Sequence, residues 1–519
     1  MNIFVSLFLV GLFSFGGSFI VAQFRGIPSP YIHDEFSYIL AGDTFAHGRV
    51  TNPPHPLLKH FETIHVLQQP TYMSKYPPGQ GLFLAAGQML FNHPIYGVWL
   101  STAMMCMAIC WMLYAWVPSR WAFIGGVVAV LQFGVFTYWS QSYWGGAVAG
   151  IGGALVVGAL PRIYKYERLR DDLWLGCGVA VLAISRQFEG ILIGIPLGVL
   201  VLSWKIKWDH IDKRRLLKRV VFPFSLILLI TILGVGAYNK AGTGNAFLSP
   251  YVLYTKQYSS VPYFIWESLG KPLQYNNEMM ASFKNIKKSE YFEKKTWEGF
   301  LKRIIRDGKL LFIFFFGFPL ALVIPFLVFW RKEVIWRIIL AIVVVLATCA
   351  VVVYRTKAHY FSSLTCLVVL LIIGGVRVLS LLKIQRVKIG LLAVILLFFV
   401  QFIMNVIYVR KSMSFSLGRV QEFKEARESN LSELVTREQL ERILKKQGGK
   451  HLVIVQYLLQ QYFYFEWVYN DADIDRSSIV WARSMGVKCD TELLTYFKDR
   501  HVWHVTVVKD NNIGPHGFR

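Results

Sequence analysis

Long runs of uncharged apolar residues recur along almost the whole of this 519-residue chain, which is 55% hydrophobic and 17% charged. A run of about 20 apolar residues can cross the hydrocarbon core of a bilayer as a helix. Since a helix satisfies its own backbone hydrogen bonds in that core, the sequence predicts a polytopic α-helical membrane protein. We expect about eleven spans, at residues 3–22, 93–116, 121–137, 144–161, 173–186, 188–204, 220–238, 309–330, 335–353, 360–377 and 389–409.

The net charge of +24 would suggest nucleic acid as a partner if the protein were soluble. Here the lysines and arginines crowd into the short loops after the fourth, sixth, eighth and tenth predicted spans, so we expect those loops to be cytoplasmic and expect no nucleic-acid partner. The charge also suits contact with anionic membrane lipid. The extracytoplasmic face then receives loop 23–78, turn 186–190, loop 239–307, turn 354–359 and the tail from residue 410.

Residues 29–80 are a polar stretch between two apolar runs, and connections longer than about 15 residues are usually functional or disordered. This one is too rich in aromatic and apolar residues to be disordered. It contains the adjacent carboxylates Asp34 and Glu35, and a carboxylate beside a membrane suits a general base or a ligand for a divalent cation. The alternative is that both acids favour the dipole at a helix N-terminus. If residues 33–47 are helical, the two side chains point about 100° apart, so only one would face a given substrate.

Several cations near the predicted outer ends of spans suit a phosphate. Lys75 precedes a Pro-Pro turn that opens the next helix, and helix N-termini favour anions; a lysine that snorkels to the interface is the alternative. Arg186 could face a phosphate with Glu189 orienting it, or the two could form a structural ion pair. The turn before the tenth span adds three further candidates for a lipid-linked phosphate or a lipid head group, namely Arg355, Lys357 and His359.

No metal or cofactor site is predicted, although a divalent cation bound to a carboxylate stays open. Five histidines lie in residues 29–80 without an HExxH or HxH spacing, which favours packing and hydrogen bonding over metal binding. The six cysteines show no CxxC spacing, so neither a zinc site nor a disulfide framework is indicated. The histidines are His33, His47, His55, His60 and His65.

The tail, residues 411–519, differs from the rest in composition and is predicted to be a small extracytoplasmic α/β domain after a membrane domain at 1–410. A charged helical stretch at about 419–446 precedes three short apolar runs, with a further helix between the last two, which favours a three-stranded sheet. Four acids could bind sugar hydroxyls or Ca²⁺, or could be solvated turn residues: Glu466, Asp471, Asp473 and Asp475.

Residues 1–410 resemble the GT-C superfamily of membrane glycosyltransferases, which includes protein O-mannosyltransferases, lipid A aminoarabinose transferases and lipopolysaccharide-core transferases. The resemblance is carried by HDE at 33–35, KYPPGQG at 75–81, SRQFEG at 185–190 and the pair His359-Tyr360. With its tail, the chain resembles a bacterial inner-membrane subfamily. The segment TYWSQSYWGGA at 137–147 departs from the pattern, because it lacks the second acidic motif that many members carry.

The resemblance implies an inverting transfer from a polyprenyl-phosphate sugar to an extracytoplasmic glycan, lipid or protein, at the outer face of a bacterial inner membrane. The family's catalytic acid falls on Asp34, with Glu35 beside it, and its phosphate-binding cations fall on Lys75, Arg186, Arg355 and Lys357. A transporter or flippase for a lipid-linked substrate, or a non-catalytic envelope scaffold, is the alternative. A transporter or flippase needs ionisable residues in the middle of its spans, whereas the ionisable residues of this chain lie at the ends of the predicted spans.

Overall fold

The computed structural model describes residues 2–166, 168–187, 222–262, 264–330, 357–383, 389–411, 437–457 and 466–507, with isolated positions 190, 339 and 342. They form two compact units, each assembled from segments distant in sequence. The first unit contains Met1–Pro28, Ile95–Val235 and Lys294–Leu417, and the second contains Ser29–Pro94, Gly236–Glu293 and Gly418–Arg519. The boundary at residue 410 stays a prediction; the second unit combines the tail with most of both long polar loops.

The apolar helices dominate the first unit. Within the described residues, five helices are long and apolar enough to cross a membrane, and a bent helix pair is a possible sixth. Each of the five coincides with a predicted span. The carboxyl-terminal part of helix Phe222–Thr243, from Gly236 onward, belongs to the second unit. The five are Ile3–Arg25, Ile95–Leu113, Phe222–Thr243, Ala358–Leu379 and Ile389–Ile407.

The span predicted at 309–330 is not one straight helix, and this prediction is corrected. Helix Trp297–Phe315 is followed by a second helical segment, Gly317–Phe329, at an angle of 95°. The break falls at Gly317, whose φ of 64° is a left-handed conformation that glycine adopts without a Cβ clash. Pro319 lies two residues further on and has no backbone N–H to continue the first helix.

The other predicted spans are short or lie outside the described residues. Those at 121–137 and 144–161 correspond to the apolar helices Ser119–Gly134 and Ala147–Ile163, which fall below the length of a full span. The one at 173–186 falls on the 17-residue helix Leu169–Ser185. Because the predicted spans 188–204 and 335–353 lie, apart from isolated positions, outside the described residues, the total of eleven stays a prediction.

In the second unit, two helices lie within the long loop of residues 29–94. We call them the aspartate helix, which runs from His33 to Ala46, and the proline helix, which runs from Pro78 to Phe91. A Cβ atom on Gly42 would lie 2.7 Å from a carbon of Leu84, and one on Gly81 would lie 2.8 Å from the Cβ of Ala41. Since carbon atoms do not approach this closely, the helices can cross here only because both positions are glycine.

A short antiparallel ribbon lies between these helices in sequence. Strand β1 (Val66–Leu67) pairs with strand β2 (Met73–Ser74). The pairing extends one step further, because the N–H of Lys75 donates to the carbonyl of His65 at 3.3 Å. The ribbon therefore makes His65 and Lys75 direct neighbours.

The tail forms a three-stranded parallel sheet in the order β4-β3-β5. Its strands coincide with the apolar runs of the sequence, and β3 in the centre is buried over its first five residues, as expected for a parallel strand covered on both faces. Two helices belong to this region, Arg437–Gln447 and Val487–Tyr496. The strands are β3 (His451–Tyr457), β4 (Ile479–Arg483) and β5 (His501–Val507).

One hydrophobic core, which we call the shared core, joins the tail to the long loop. Side chains of the loop and of the tail contact one another there and exclude water together. A buried ion pair between Arg483 and Glu466 lies in the same part of the tail. The shared core contains Leu40, Phe61, Val66 and Tyr72 from the loop, and Leu452, Ile454, Tyr469, Ala472, Ile474, Val480, Ala482, Leu493 and Phe497 from the tail.

Candidate active site

Asp34 is a partly accessible carboxylate in the first turn of the aspartate helix. Its side chain is 19% exposed, and its Oδ1 accepts a hydrogen bond from the hydroxyl of Tyr76. Burial alone would raise the pKa of Asp34, but His33, Lys75, the Tyr76 hydrogen bond and Lys287 together lower it below its ordinary value. Asp34 is therefore ionised at neutral pH and able to accept a proton.

Glu35 has a structural role. Its side chain is buried, and its Oε2 accepts hydrogen bonds of 3.0 Å from the backbone N–H groups of Tyr31 and Ile32. Residues at the start of a helix leave such N–H groups without helical partners, and a carboxylate at this position satisfies them. The capping alternative raised by the sequence thus describes the contacts of Glu35, and the catalytic role of Asp34 stays a prediction.

Two buried histidines surround Asp34. The Nε2 atom of His65 lies 3.8 Å from Asp34 Oδ1, and the rings of His33 and His65 have centroids 5.3 Å apart. The backbone of His65 is fixed on both sides, because its N–H donates to the hydroxyl of Tyr254 at 2.9 Å and its carbonyl accepts from the hydroxyl of Ser37 at 2.7 Å. The two rings therefore form a fixed wall beside the carboxylate.

Lys75 lies in an aromatic cage. Its Nζ is 4.7 Å from the ring centroid of Tyr251, 4.9 Å from that of Tyr76 and 5.0 Å from that of Tyr254, and the residue is 4% exposed. The faces of aromatic rings attract an ammonium group, so this cage holds a positive charge in a largely dry environment.

Two further lysines, marked by no sequence motif, lie near Lys75. Both belong to helix Glu278–Lys295, called here the lysine helix. Lys284 is 3% exposed, with its Nζ 4.7 Å from the ring centroid of Tyr254, and Lys287 lies over Phe283 at 4.4 Å. Burial lowers the pKa of Lys284 well below its ordinary value, and Lys287 and Lys75 lower it further. The three lysines therefore supply more positive charge than the one carboxylate of Asp34 can neutralise. A bound anion would neutralise the excess.

The start of the lysine helix is attached to the long loop. The buried carboxylate of Glu62 accepts hydrogen bonds from the amides of Asn276 and Asn277, each at 3.2 Å. Asn277 also caps the helix, because its Oδ1 accepts from the N–H of Met280 at 2.8 Å. Burial raises the pKa of Glu62 despite these hydrogen bonds. The contacts place the lysine helix against the segment that carries His65.

The same groups fit Mg²⁺ or Ca²⁺ poorly. Among the described residues, His33, Asp34 and His65 offer three potential ligand atoms within 4.8 Å of one another. Two imidazoles and a carboxylate are not the all-oxygen set that Mg²⁺ or Ca²⁺ prefers. The nearby charges of Lys75 and Lys287 would also repel any cation, since they already stabilise negative charge on Asp34. That the protein has no resident metal stays a prediction from the sequence.

The remaining predicted phosphate ligands belong to the first unit or lie outside the described residues. The guanidinium carbon of Arg186 lies 5.2 Å from the ring centroid of Tyr360, and His359 Nδ1 lies 3.1 Å from the hydroxyl of Tyr138. Lys357 precedes this segment as the N-cap of its first helical turn. That these residues converge with Asp34 stays a prediction. Glu189 and Arg355 lie outside the described residues.

The other histidines and tail acids of the sequence make structural contacts. His55 Nε2 lies 3.2 Å from Asp475, and Ser477 donates to Asp471 at 3.0 Å. Glu466 pairs with Arg483 and also accepts from the hydroxyl of Tyr457 at 2.7 Å. Further contacts of this kind are His47 with the carbonyl of Asp43, His60 with the carbonyl of Arg483, and Asp473 with the N–H of Arg476.

No protein-family model and no curated protein sequence matches this chain. Among solved structures, it is similar to a crystal structure of ArnT from Cupriavidus metallidurans in the apo state, with 13% sequence identity and a TM-score of 0.47. The match covers 95% of this chain and 92% of that one.

Proposed function

We propose that this chain is a membrane glycosyltransferase that moves a hexosyl or pentosyl group from a polyprenyl phosphate to an extracytoplasmic glycan, lipid or protein, with inversion at the anomeric carbon. The observation that carries the proposal is a partly accessible, ionised carboxylate beside three lysines, in the loop that follows the first apolar helix. The GT-C-like motifs of the sequence support the same activity, since two of them supply Asp34 and Lys75.

Asp34 is the general base in this proposal. An inverting displacement needs a base that takes the proton of the acceptor hydroxyl while that oxygen attacks the anomeric carbon. Tyr76 donates its hydrogen bond to Oδ1 of Asp34, which leaves Oδ2 to take the proton of the acceptor hydroxyl. Since neighbouring positive charge keeps the carboxylate ionised, it is in the protonation state that the step requires.

Lys75, Lys284 and Lys287 are the phosphate ligands. As the bond between the anomeric carbon and the phosphate oxygen breaks, its electron pair stays on the phosphate, which gains negative charge. Lysine side chains fixed in advance in a dry site, with Lys284 taking up a proton as the phosphate binds, stabilise that charge more strongly than water does. The sugar–phosphate bond supplies the driving force, so the proposed reaction needs no nucleotide and no resident cofactor.

The first test uses the purified full-length protein with a panel of polyprenyl-phosphate hexoses and pentoses, and measures the release of polyprenyl phosphate. We expect Asp34→Asn to lower kcat by roughly 100-fold or more, the usual contribution of general-base catalysis. Asp499→Asn, which removes an exposed tail carboxylate, is the matched control and should leave turnover unchanged. Wild-type turnover in the Asp34 variant would remove Asp34 from its role.

A deletion strain tests the cellular side of the proposal. Mass spectrometry should find an accumulated polyprenyl-phosphate sugar together with one missing envelope modification. If a lipid-linked substrate instead crossed proteoliposomes at equal rates with wild-type and Asp34→Asn protein, and no sugar transfer occurred, the protein would be a transporter. If neither activity occurred and the tail alone bound an envelope protein, it would be a scaffold.

A further inference from the structure

His65 has a strained backbone in the middle of the candidate site. Its φ is 70°, a left-handed conformation that is uncommon outside glycine, although asparagine, aspartate and histidine adopt it more often than other residues. Such strain persists only where surrounding contacts enforce it, and it concentrates at functional sites. Here the contacts are the hydroxyl of Tyr254 on the N–H of His65, and the hydroxyl of Ser37 and the N–H of Lys75 on its carbonyl.

The ring of His65 is fixed as firmly as its backbone. It is buried, and it packs edge-to-face against three aromatic rings, with centroid distances of 5.4 Å to Phe283 and 5.8 Å to both Tyr76 and Tyr254. This packing aims Nε2 at Asp34 Oδ1, 3.8 Å away. Catalytic hydrogen bonds are often this long before substrate binds and shorten in the complex.

The surroundings of His65 also determine which of its two ring nitrogens carries the proton. Burial, followed by the charges of Lys75, Lys287, His33 and Lys284, lowers the pKa of His65 well below its ordinary value, so the ring is neutral and has a single N–H. Nδ1 is buried and has no hydrogen-bond partner among the described residues. A proton on Nδ1 would be a buried donor without an acceptor, which is costly, so it resides on Nε2 and faces Asp34.

We propose that His65 is the positioning residue of the catalytic carboxylate: its Nε2–H and the Tyr76 hydroxyl together hold Asp34 Oδ1, so that Oδ2 is presented to the acceptor hydroxyl. This inference rests on the proposed function. In the transfer step, the acceptor oxygen bonds to the anomeric carbon and its proton goes to Asp34 Oδ2. The phosphate oxygen leaves with the electron pair of the broken bond, and His65 keeps its own proton throughout.

The test uses the positive φ of His65. His65→Gly suits the backbone conformation and leaves a cavity the size of the missing ring, which added imidazole can enter. Because misplacing a catalytic group by about 1 Å can cost 10²-fold, we expect kcat to fall by roughly 100-fold at an unchanged KM for the donor. Added imidazole should restore most of this loss.

His65→Asn is the matched variant. Asparagine also tolerates positive φ, but its amide is too short to reach Asp34, so kcat should stay low with and without imidazole. Wild-type kcat in His65→Asn, or no response of His65→Gly to imidazole, would overturn the positioning role. A zinc site would also overturn the positioning role. It would be shown if chelation abolished wild-type activity, added Zn²⁺ restored it, and His65→Asn no longer bound Zn²⁺.

The Asp34→Asn protein separates this inference from the proposed function. If that variant is inactive while His65→Asn is fully active, the positioning role fails and the glycosyltransferase proposal stands. If Asp34→Asn is also fully active, the proposed function itself fails.

Discussion

At the scale of single residues, the grouping of three lysines and two histidines around the carboxylate of Asp34 costs free energy. Desolvation disfavours each ammonium, and Lys284 shows this most clearly, because burial and two neighbouring lysines lower its pKa well below the ordinary value. A bound phosphate would reverse the balance by supplying the missing negative charge. The cost is therefore consistent with a site shaped for an anionic substrate.

Lys287 gives the first prediction. Replacing it by alanine should raise the KM for the donor and lower kcat/KM by roughly 10- to 100-fold, the loss expected for a hydrogen bond to a charged group at about 1.5–3 kcal/mol. Lys288, its exposed neighbour on the lysine helix, is the matched control, and Lys288→Ala should change neither constant. Equal effects of the two substitutions would show that only overall charge matters.

We expect Lys284 to make binding of the proposed donor depend on pH. Its pKa is lowered in the free protein and would be raised by a bound phosphate, so binding takes up a proton at any pH between the two values. Donor affinity is then full below the lowered pKa and falls as the pH rises above it. Steady-state kinetics should show a KM that increases with pH in the wild type. Lys284→Met should give a higher KM that no longer varies in this range.

The sequence pointed to some of these residues and missed others for a physical reason. Asp34 and Lys75 stand beside a helix start and a Pro-Pro turn, which are local signals. Lys284 and Lys287 lie in a helix with several more lysines, and only the fold shows which of them are buried. His65 was named only among histidines expected to pack, because its left-handed backbone leaves no mark in the sequence.

At the scale of elements, the crossing of the aspartate and proline helices determines the geometry near the site. Gly81→Val should force the helices apart, since even a Cβ would lie 2.8 Å from Ala41. Overpacking of this kind costs about 1–3 kcal/mol, and we expect a lower thermal midpoint together with reduced turnover. Gly16→Ala, on a helix where a Cβ meets nothing within 4 Å, is the control and should leave both unchanged.

Elements with a sustained pattern could be predicted, and those made by long-range contacts could not. The tail strands lie on continuous apolar runs rich in β-branched residues. The ribbon β1–β2 has only two residues per strand, too few for any periodicity. The bend near Gly317 was missed because the apolar composition continues through it.

At the scale of the whole molecule, the second unit requires that the long loop and the tail lie on one side of the membrane. This gives a labelling prediction. Cys489 of the tail and a cysteine introduced at the exposed Lys59 of the loop should both react with a membrane-impermeant thiol reagent added from outside intact spheroplasts. Reaction of one only after permeabilisation would contradict the arrangement and the proposed site with it.

The shared core has a consequence for how the protein is made. Leu40 and Phe61 in the loop complete their packing only against partners such as Leu452 and Phe497 of the tail, which the ribosome adds much later than the loop. Every apolar helix must therefore be inserted, and the carboxyl-terminal strands delivered to the loop, before the surroundings of Asp34 are assembled. A nascent chain that lacks the tail strands therefore leaves the apolar side chains of the loop uncovered.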